Sequence, residues 1–395
     1  MAYVFAHGSG TADDPYLVET AEDLNGVRDY LSAHFKQVAD IDLSGYENWE
    51  PIGTLIEGQE AEFRGTYDGS NYTINNLTII NSEKIASGLF GATLNATIKN
   101  LELVNVNIDV SAILVGGLVG CVANNSTIID CYVEGDIKGT NVGGLAGCIS
   151  SSTITKCHSA GNVLGYGYYI GGLVGVISGA EHETEMGNQF VYMTECYSTS
   201  NVSAFNVNRG YIGGLIGYGA NSFVNSCWCS GNVNLMVAPD VDANHSFGGL
   251  MGAFIISPFT ETEVQSYVSN CYSTGSVSGN MICGGLIGWV YIASSEHQDL
   301  FTVINCYSIG SVHCTGEIRY TGGLIGVISV GGYIGHIALI SSYYDTQTSG
   351  CSDTGKGEPK TTAEMKTQST YTDWDFASVW GIDPAKNDGY PYLLW

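Results

Sequence analysis

The sequence predicts an all-β solenoid, a chain wound into stacked coils, and three observations carry that reading. A five-residue stretch, Gly-Gly-Leu-x-Gly, recurs at Gly116–Gly120, Gly143–Gly147, Gly171–Gly175, Gly213–Gly217, Gly248–Gly252, Gly284–Gly288 and Gly322–Gly326, after a clipped copy at Gly88–Gly91. Between copies stands a Cys followed by a ring: Cys131-Tyr132, Cys157-His158, Cys196-Tyr197, Cys227-Trp228, Cys271-Tyr272 and Cys306-Tyr307. Apolar residues flank the glycines in strand fashion, as in Ile170-Gly171-Gly172-Leu173-Val174-Gly175-Val176-Ile177. A unit repeated with two such landmarks stacks on its own neighbours to bury its apolar face.

Composition narrows the partners. A chain of 395 residues ordinarily divides into domains. In a solenoid each repeat touches only its neighbours, so the core lengthens instead. Thirteen Lys and Arg against thirty-nine Asp and Glu give a net charge of −26, which repels phosphate backbones and anionic lipid and attracts cations. Nucleic acid is therefore not an expected partner. Membrane insertion is not expected either, because no uninterrupted apolar run reaches spanning length. Twelve cysteines suit an oxidising exterior, and the chain reads as a mature exported protein whose leader has been replaced by a start Met.

In chain order, residues 1–61 are expected to form an N-terminal cap and first coil. Thr20 starts a helix as its N-cap with Asp23 reaching back, running to about Tyr30 or Ala33. A solenoid end exposes unpaired backbone, so a cap is physically required. Residues 62–344 are expected to form the solenoid, opening with a strand, a turn at Asp68-Gly69 and further strand. The pentad leucines, at positions 89, 118, 145, 173, 215, 250, 286 and 324, lie 27 to 42 residues apart, so each coil has a fixed and a variable part. Three long inserts carry acids: Glu181, Glu183 and Glu185; Glu261 and Glu263; Glu296 and Asp299. Equivalent positions stack, so these loops are expected to form an acidic ridge. Residues 345–395 hold Trp374, Phe376, Trp380, Tyr392 and Trp395, too many aromatics for a disordered tail, and are expected to cover the last coil.

The run of Gly8-Ser9-Gly10-Thr11, Thr20-Ala21-Glu22-Asp23-Leu24, Asp40-Ile41-Asp42-Leu43, Pro51-Ile52-Gly53, Tyr67-Asp68-Gly69, Gly88-Leu89-Phe90-Gly91 and the pentads resembles the GLUG-motif repeat proteins, exported proteins of bacteria and archaea. The tail, with Trp374-Asp375-Phe376 and Gly389-Tyr390-Pro391-Tyr392-Leu393, is similar to the terminal segment of such modules. The resemblance implies a parallel β-solenoid at a cell surface and no reaction. Some relatives pair the repeats with a peptidase, but no peptidase motif stands in this sequence.

Among chemistry-bearing residues the cysteines say most. Cys121 and Cys148 each follow a pentad in adjacent coils, and Cys131 and Cys157 are likewise equivalent. Coils ~4.8 Å apart fall inside the Cα separation a disulfide accepts. Both pairs are candidate disulfides, against the alternative of buried free thiols packing as small hydrophobes. Cys229, Cys283, Cys314 and Cys351 have no aligned neighbour and read as free, irregularly paired or intermolecular. The ring residues beside the cysteines form a column, for packing or for holding sugar rings. His182-Glu183 lacks the second His of a zincin, and Cys227-x-Cys229 alone makes no zinc site. No Gly-x-Ser-x-Gly elbow occurs, and same-face carboxylates such as Asp40 and Asp42 arise by chance among so many acids.

The expectation is therefore a capped single-stranded parallel β-solenoid of roughly eight to ten coils, extracellular and at the surface of a prokaryote, without cofactor, metal or catalytic residues. Its expected role is structural, associating with itself into a surface layer, sheath or adhesive coat of the kind seen in the tubular sheaths of methanogenic archaea. The alternatives are a module binding surface glycans, proteins or divalent cations through the acidic ridge or aromatic column, and a polysaccharide-active enzyme.

Overall fold

The pentad leucines set the geometry. The structure, a computed structural model, describes residues 2–55, 61–82, 84–179, 190–205, 209–237, 245–256, 265–293, 300–317, 319–331 and 336–395. All eight leucines are buried. From Leu118 to Leu286, each leucine N–H donates to the carbonyl of the leucine one coil further along, at 2.8 to 3.0 Å. One inner file thus runs the length of the repeats, and the fold is the parallel β-solenoid that the sequence predicts.

Each coil has three faces. The residues just before and at the first pentad glycine form a short sheet of eight parallel strands, from Ala86–Ser87 to Tyr320–Gly322. The chain corners at Gly-Leu and enters a second eight-stranded sheet, from Phe90–Leu94 to Ile325–Gly331. Equivalent residues pair in register, as in Val119↔Ala146, Ala146↔Val174 and Val174↔Ile216. The rest of the coil lies in a long third sheet that already includes Tyr16–Val18 and reaches Glu358–Lys360. Apolar side chains from all three sheets fill one continuous core.

A second corner interrupts the long sheet. The residue before each column cysteine is left-handed: φ is +54° at Asp130, +56° at Lys156, +54° at Glu195, +52° at Ser226 and Asn270, and +54° at Asn305. Asn and Asp tolerate this region, whereas Lys and Glu pay about 1–2 kcal/mol for it. The stack on either side holds even those residues in the bend, which sends the following cysteine inward. The expected turn at Asp68-Gly69 is a corner of related kind. Thr66–Asn75 stays one strand, paired parallel on Thr97–Asp109, with a register shift between Asp68 and Tyr72 where Ser70 and Asn71 take positive φ.

The N-terminal end is closed. Thr20 and Asp23 form the expected capping box, though the α-helix is shorter, Ala21–Gly26, and continues as a 3-10 turn at Val27–Asp29. Val18, Leu24 and Val27 are fully buried beneath this cap. The C-terminal segment departs from expectation. Residues 353–360 cover Leu324 and pair with Tyr343–Asp345, but the aromatic-rich remainder folds back along the flank instead of closing the end. Ile328, Ile337 and Leu339 are therefore only half-buried, whereas their register partners one coil earlier, Val290, Phe301 and Val303, are fully buried. A tail rich in aromatics follows the apolar surface it can stack on, and that surface is the ring column.

Candidate functional site

The long sheet carries the chain's most ordered side-chain array. The corner before each Cys turns the Cys inward and the next residue outward, so the rings stack coil upon coil. His158 and Tyr197 lie 4.3 Å apart, Tyr197 and Trp228 4.4 Å, Trp228 and Tyr272 5.7 Å, and Tyr272 and Tyr307 5.0 Å, all within 14° of parallel. Tyr132 ends the column, 6.0 Å from His158 and tilted. Burial pushes the His158 imidazole below its ordinary pKa, so it stacks as a neutral ring.

The returning C-terminal segment covers part of this column. Trp380 and Trp374 pack on Tyr307, and the Trp380 indole N–H donates to Asn270 at 3.4 Å. Tyr272, Tyr307 and Tyr343 are buried there, while Tyr132, His158, Tyr197 and Trp228 remain half-exposed. Parallel stacking occupies the ring faces, so along the exposed stretch solvent meets ring edges. Within this column the ring at the exposed end, Tyr132, is stacked on from one side only. Beside that end lies a polar cleft of about 660 Å³ lined by Asn76, Asn105, Asn107, Glu134 and Asp136 among others. The Tyr132 hydroxyl donates to Glu134 at 3.0 Å, and Asn162 donates to Asp136 at 2.7 Å.

Beneath the rings runs a file of thiols. Cys131, Cys157, Cys196, Cys227, Cys271 and Cys306 are buried, each thiol donating to the carbonyl two residues back, at 3.0 to 3.3 Å. Neighbouring thiols interact in turn along the file, Cys131 with Cys157, Cys157 with Cys196, Cys196 with Cys227, and Cys271 with Cys227 and Cys306, so the file does not single out the Cys131–Cys157 pair. Burial pushes Cys131, Cys157, Cys196 and Cys271 up and keeps them protonated. All twelve cysteines are thiols in this structure.

The remaining cysteines separate by environment. Cys121 and Cys148 face each other in register on the outer side of the second sheet, over Ala86 and Ala92. The Cys148 thiol donates to Cys121, which draws Cys121 down and pushes Cys148 up. Cys229 is fully buried and donates to the Gly249 carbonyl at 2.7 Å, out of reach of another molecule. It occupies a column that sequence reading missed: Ser159, Ser198, Ser273 and Ser308 hold the same place, two residues after the column cysteine. Ser159 and Ser308 likewise donate to pentad carbonyls, of Gly172 and Gly323. The signal was present as Cys-ring-Ser. Cys283 and Cys314, which have no aligned neighbour in the sequence, lie against each other.

The predicted acidic ridge, Glu181, Glu183, Glu185, Glu261, Glu263, Glu296 and Asp299, lies outside the described residues. Among the described residues no group of three or more His, Cys, Asp or Glu side chains is placed to hold a metal ion. No described helix is long and apolar enough to cross a membrane.

Comparison with known proteins agrees with this architecture. Residues 111–138 match the family model described as the GLUG motif. The chain is 34% identical over 415 aligned residues to a protein of Evansella cellulosilytica provisionally named a Gly-rich membrane protein, across 98% of this chain and 45% of that one. It is 31% identical over 202 residues to halomucin of Haloquadratum walsbyi, across 42% of this chain and 2% of halomucin. The chain thus spans less than half the length of either relative. A solved Bacteroides ovatus protein, provisionally named an immunoglobulin A1 protease, shares the fold with a TM-score of 0.52, covering 99% of this chain and 95% of that one at 19% identity. The matched segment holds the first full pentad, Gly116–Gly120, and its landmarks repeat in register through the stack, so the chain carries the GLUG motif as a repeat.

Proposed function

We propose that this chain is an extracellular, cell-surface structural module, not an enzyme, and that it associates with itself through its C-terminal end. The observation that carries this reading is the asymmetry of the two ends. The helical cap closes the first coil, whereas in the last one Ile328, Ile337 and Leu339 are half-exposed and Val330 and Ile340 are 44% and 45% exposed. The strands Ile325–Gly331 and His336–Ile340 pair on one side only among the described residues. An open edge above an uncovered core is a template for another strand layer. A second copy supplies the same surface, which makes the contact isologous. The names of the two curated relatives, a Gly-rich membrane protein and halomucin, fit a surface location.

The test is the oligomeric state of the purified chain by sedimentation, beside Val330→Lys and Ile340→Lys, which place charge on the open edge at residues already 44% and 45% exposed. Dimers or larger assemblies that become monomers in the variants support the reading. A wild-type chain that stays monomeric at high concentration overturns it. A layer, sheath or coat then requires flank contacts in addition, visible as ordered arrays by electron microscopy.

A second reading rests on the polar cleft beside Tyr132, whose amides and carboxylates, with the Tyr132 hydroxyl bonded to Glu134 in its wall, suit a glycan. Binding on a glycan array that Tyr132→Ala removes would favour it over a purely structural role.

A further inference from the structure

The cysteines without an aligned partner in the sequence stand in a defined arrangement. Cys283 lies in the short sheet at the start of a coil, in register with Thr321. Cys314 lies at the end of the same coil in the long sheet, in register with Gly279. The two thiols cross: Cys283 Sγ approaches the His313 carbonyl at 3.7 Å, and Cys314 Sγ approaches the Met281 carbonyl at 3.2 Å. Each sulfur therefore points at the backbone beside the other cysteine, and the Cys283 thiol hydrogen-bonds to Cys314. The residues between them trace one complete turn of the solenoid.

We propose that Cys283 and Cys314 form a thiol–disulfide clasp that closes one coil, next to the open C-terminal end, into a covalent ring. Their environments assign the roles. Cys283 is fully buried, whereas Cys314 keeps some exposure. The hydrogen bond from Cys283, the backbone N–H groups of Gly316 and Tyr320, and the nearby Arg319 guanidinium together draw the Cys314 thiol below its ordinary pKa. A sulfur so placed is a nucleophile. Cys314 as thiolate attacks a low-molecular-weight disulfide, forming a mixed disulfide and releasing one thiolate. The Cys283 thiol then gives up its proton and attacks the Cys314 sulfur, expelling the second thiolate, which takes the proton. Two protein thiols are oxidised to one disulfide, and one small disulfide is reduced to two thiols. Cys351, half-buried, with its thiol pushed up by burial and by Asp353, is not needed for either step.

The experiment exposes the reduced full chain, natively folded, to glutathione disulfide, traps thiols with iodoacetamide at intervals and maps unreduced peptides by mass spectrometry. The expected product is a Cys283–Cys314 cross-linked peptide, with Cys314 lost at least tenfold faster than the buried Cys229. In Cys283→Ser a glutathione adduct should accumulate on Cys314, and in Cys314→Ser residue 283 should stay a thiol. Circular dichroism of both variants confirms that they fold. Linkage of either cysteine to Cys351 instead, or a Cys314 that reacts no faster than Cys229, overturns the proposal.

Discussion

Replacing Gly172 by alanine tests the packing rule of the whole stack. A Cβ at this position would lie 2.0 Å from the Gly214 carbonyl oxygen and 2.4 Å from Ser198 Oγ. The obstacle is backbone of the next coil, which cannot rotate aside as a side chain would. Forcing one carbon into a packed interior costs about 1–3 kcal/mol. The shift also pulls the Gly172 carbonyl away from the Ser159 hydroxyl that donates to it at 2.7 Å. A buried hydrogen bond left unmade adds about 1–3 kcal/mol. Gly172→Ala should therefore destabilise by about 2–6 kcal/mol.

Two other glycines separate this cause from alternatives. Gly45 has open space around it and no positive φ, so Gly45→Ala should be neutral or stabilise by about 0.4–1 kcal/mol through the unfolded chain. Gly350 also meets nothing within 4 Å but sits at φ +72°, so Gly350→Ala should cost only backbone strain, about 1–2 kcal/mol. Urea titration by circular dichroism ranks the three. Long repeat arrays depart from two-state melting, so amide exchange at Leu173 and Leu215 gives the local reading. Equal midpoints for Gly172→Ala and Gly45→Ala, with unchanged exchange at Leu215, would refute the claim that coil contact excludes a side chain there.

Further expectations follow from other parts of the fold. Oxidising Cys121 and Cys148 closes a loop of about 28 residues and should stabilise by about 3.6 kcal/mol on the chain-entropy estimate, read as a raised urea midpoint that reductant abolishes. Asp23 is pushed up by burial, yet hydrogen bonds from Tyr3, Glu19 and Thr20 outweigh that and hold its carboxyl below the ordinary range. A depressed carboxylate contributes stability that is fully present above its unfolded pKa, about 3.9, and is lost as pH falls through the folded value. Asp23→Asn should thus lower stability by about 1 kcal/mol at neutral pH, with the gap to wild type closing in acid below about pH 4. Trp380→Ala removes a fully buried indole and should release the C-terminal segment at a cost of about 3–5 kcal/mol, seen as new susceptibility of residues 371–395 to protease while the pentad amides stay protected.

Legibility in the sequence followed periodicity. The leucine file could be read because one side chain recurs at a constant place in every coil and faces the same core. The thiol file and ring column could be read for the same reason, but not their chemistry. Equivalence places Cys131 beside Cys157; it also places Cys157 beside Cys196, and no pair is preferred. The left-handed corner was hidden because Asp130, Lys156, Glu195, Ser226, Asn270 and Asn305 share a backbone angle and no side-chain type. The Cys283–Cys314 approach was hidden because it joins two faces of one coil, a relation that comparing coil with coil does not reveal. The path of the tail belongs to the same class: Trp380 meets Asn270 across 110 residues with no repeat to announce it.

The ends, not the repeats, decide what such a solenoid can build. Identical coils would add to each other without limit, and a stack open at both ends would grow into a filament. Here the capping box of Thr20 and Asp23 closes one end, while the C-terminal segment leaves Ile337 and Leu339 half-covered at the other. On the proposed reading one open surface pairs with its own copy and is then used up, so end contacts alone would yield a closed dimer. Growth into a layer must come from the flanks, where a net charge of −26 makes side-by-side approach repulsive at low ionic strength. The apolar end contact should therefore persist across salt concentrations, whereas lateral association should appear only with added salt or divalent cations. Lateral arrays that form as readily in dilute buffer would mean that the flank contacts are apolar, and would shift attention from the charge to the exposed edges of the ring column.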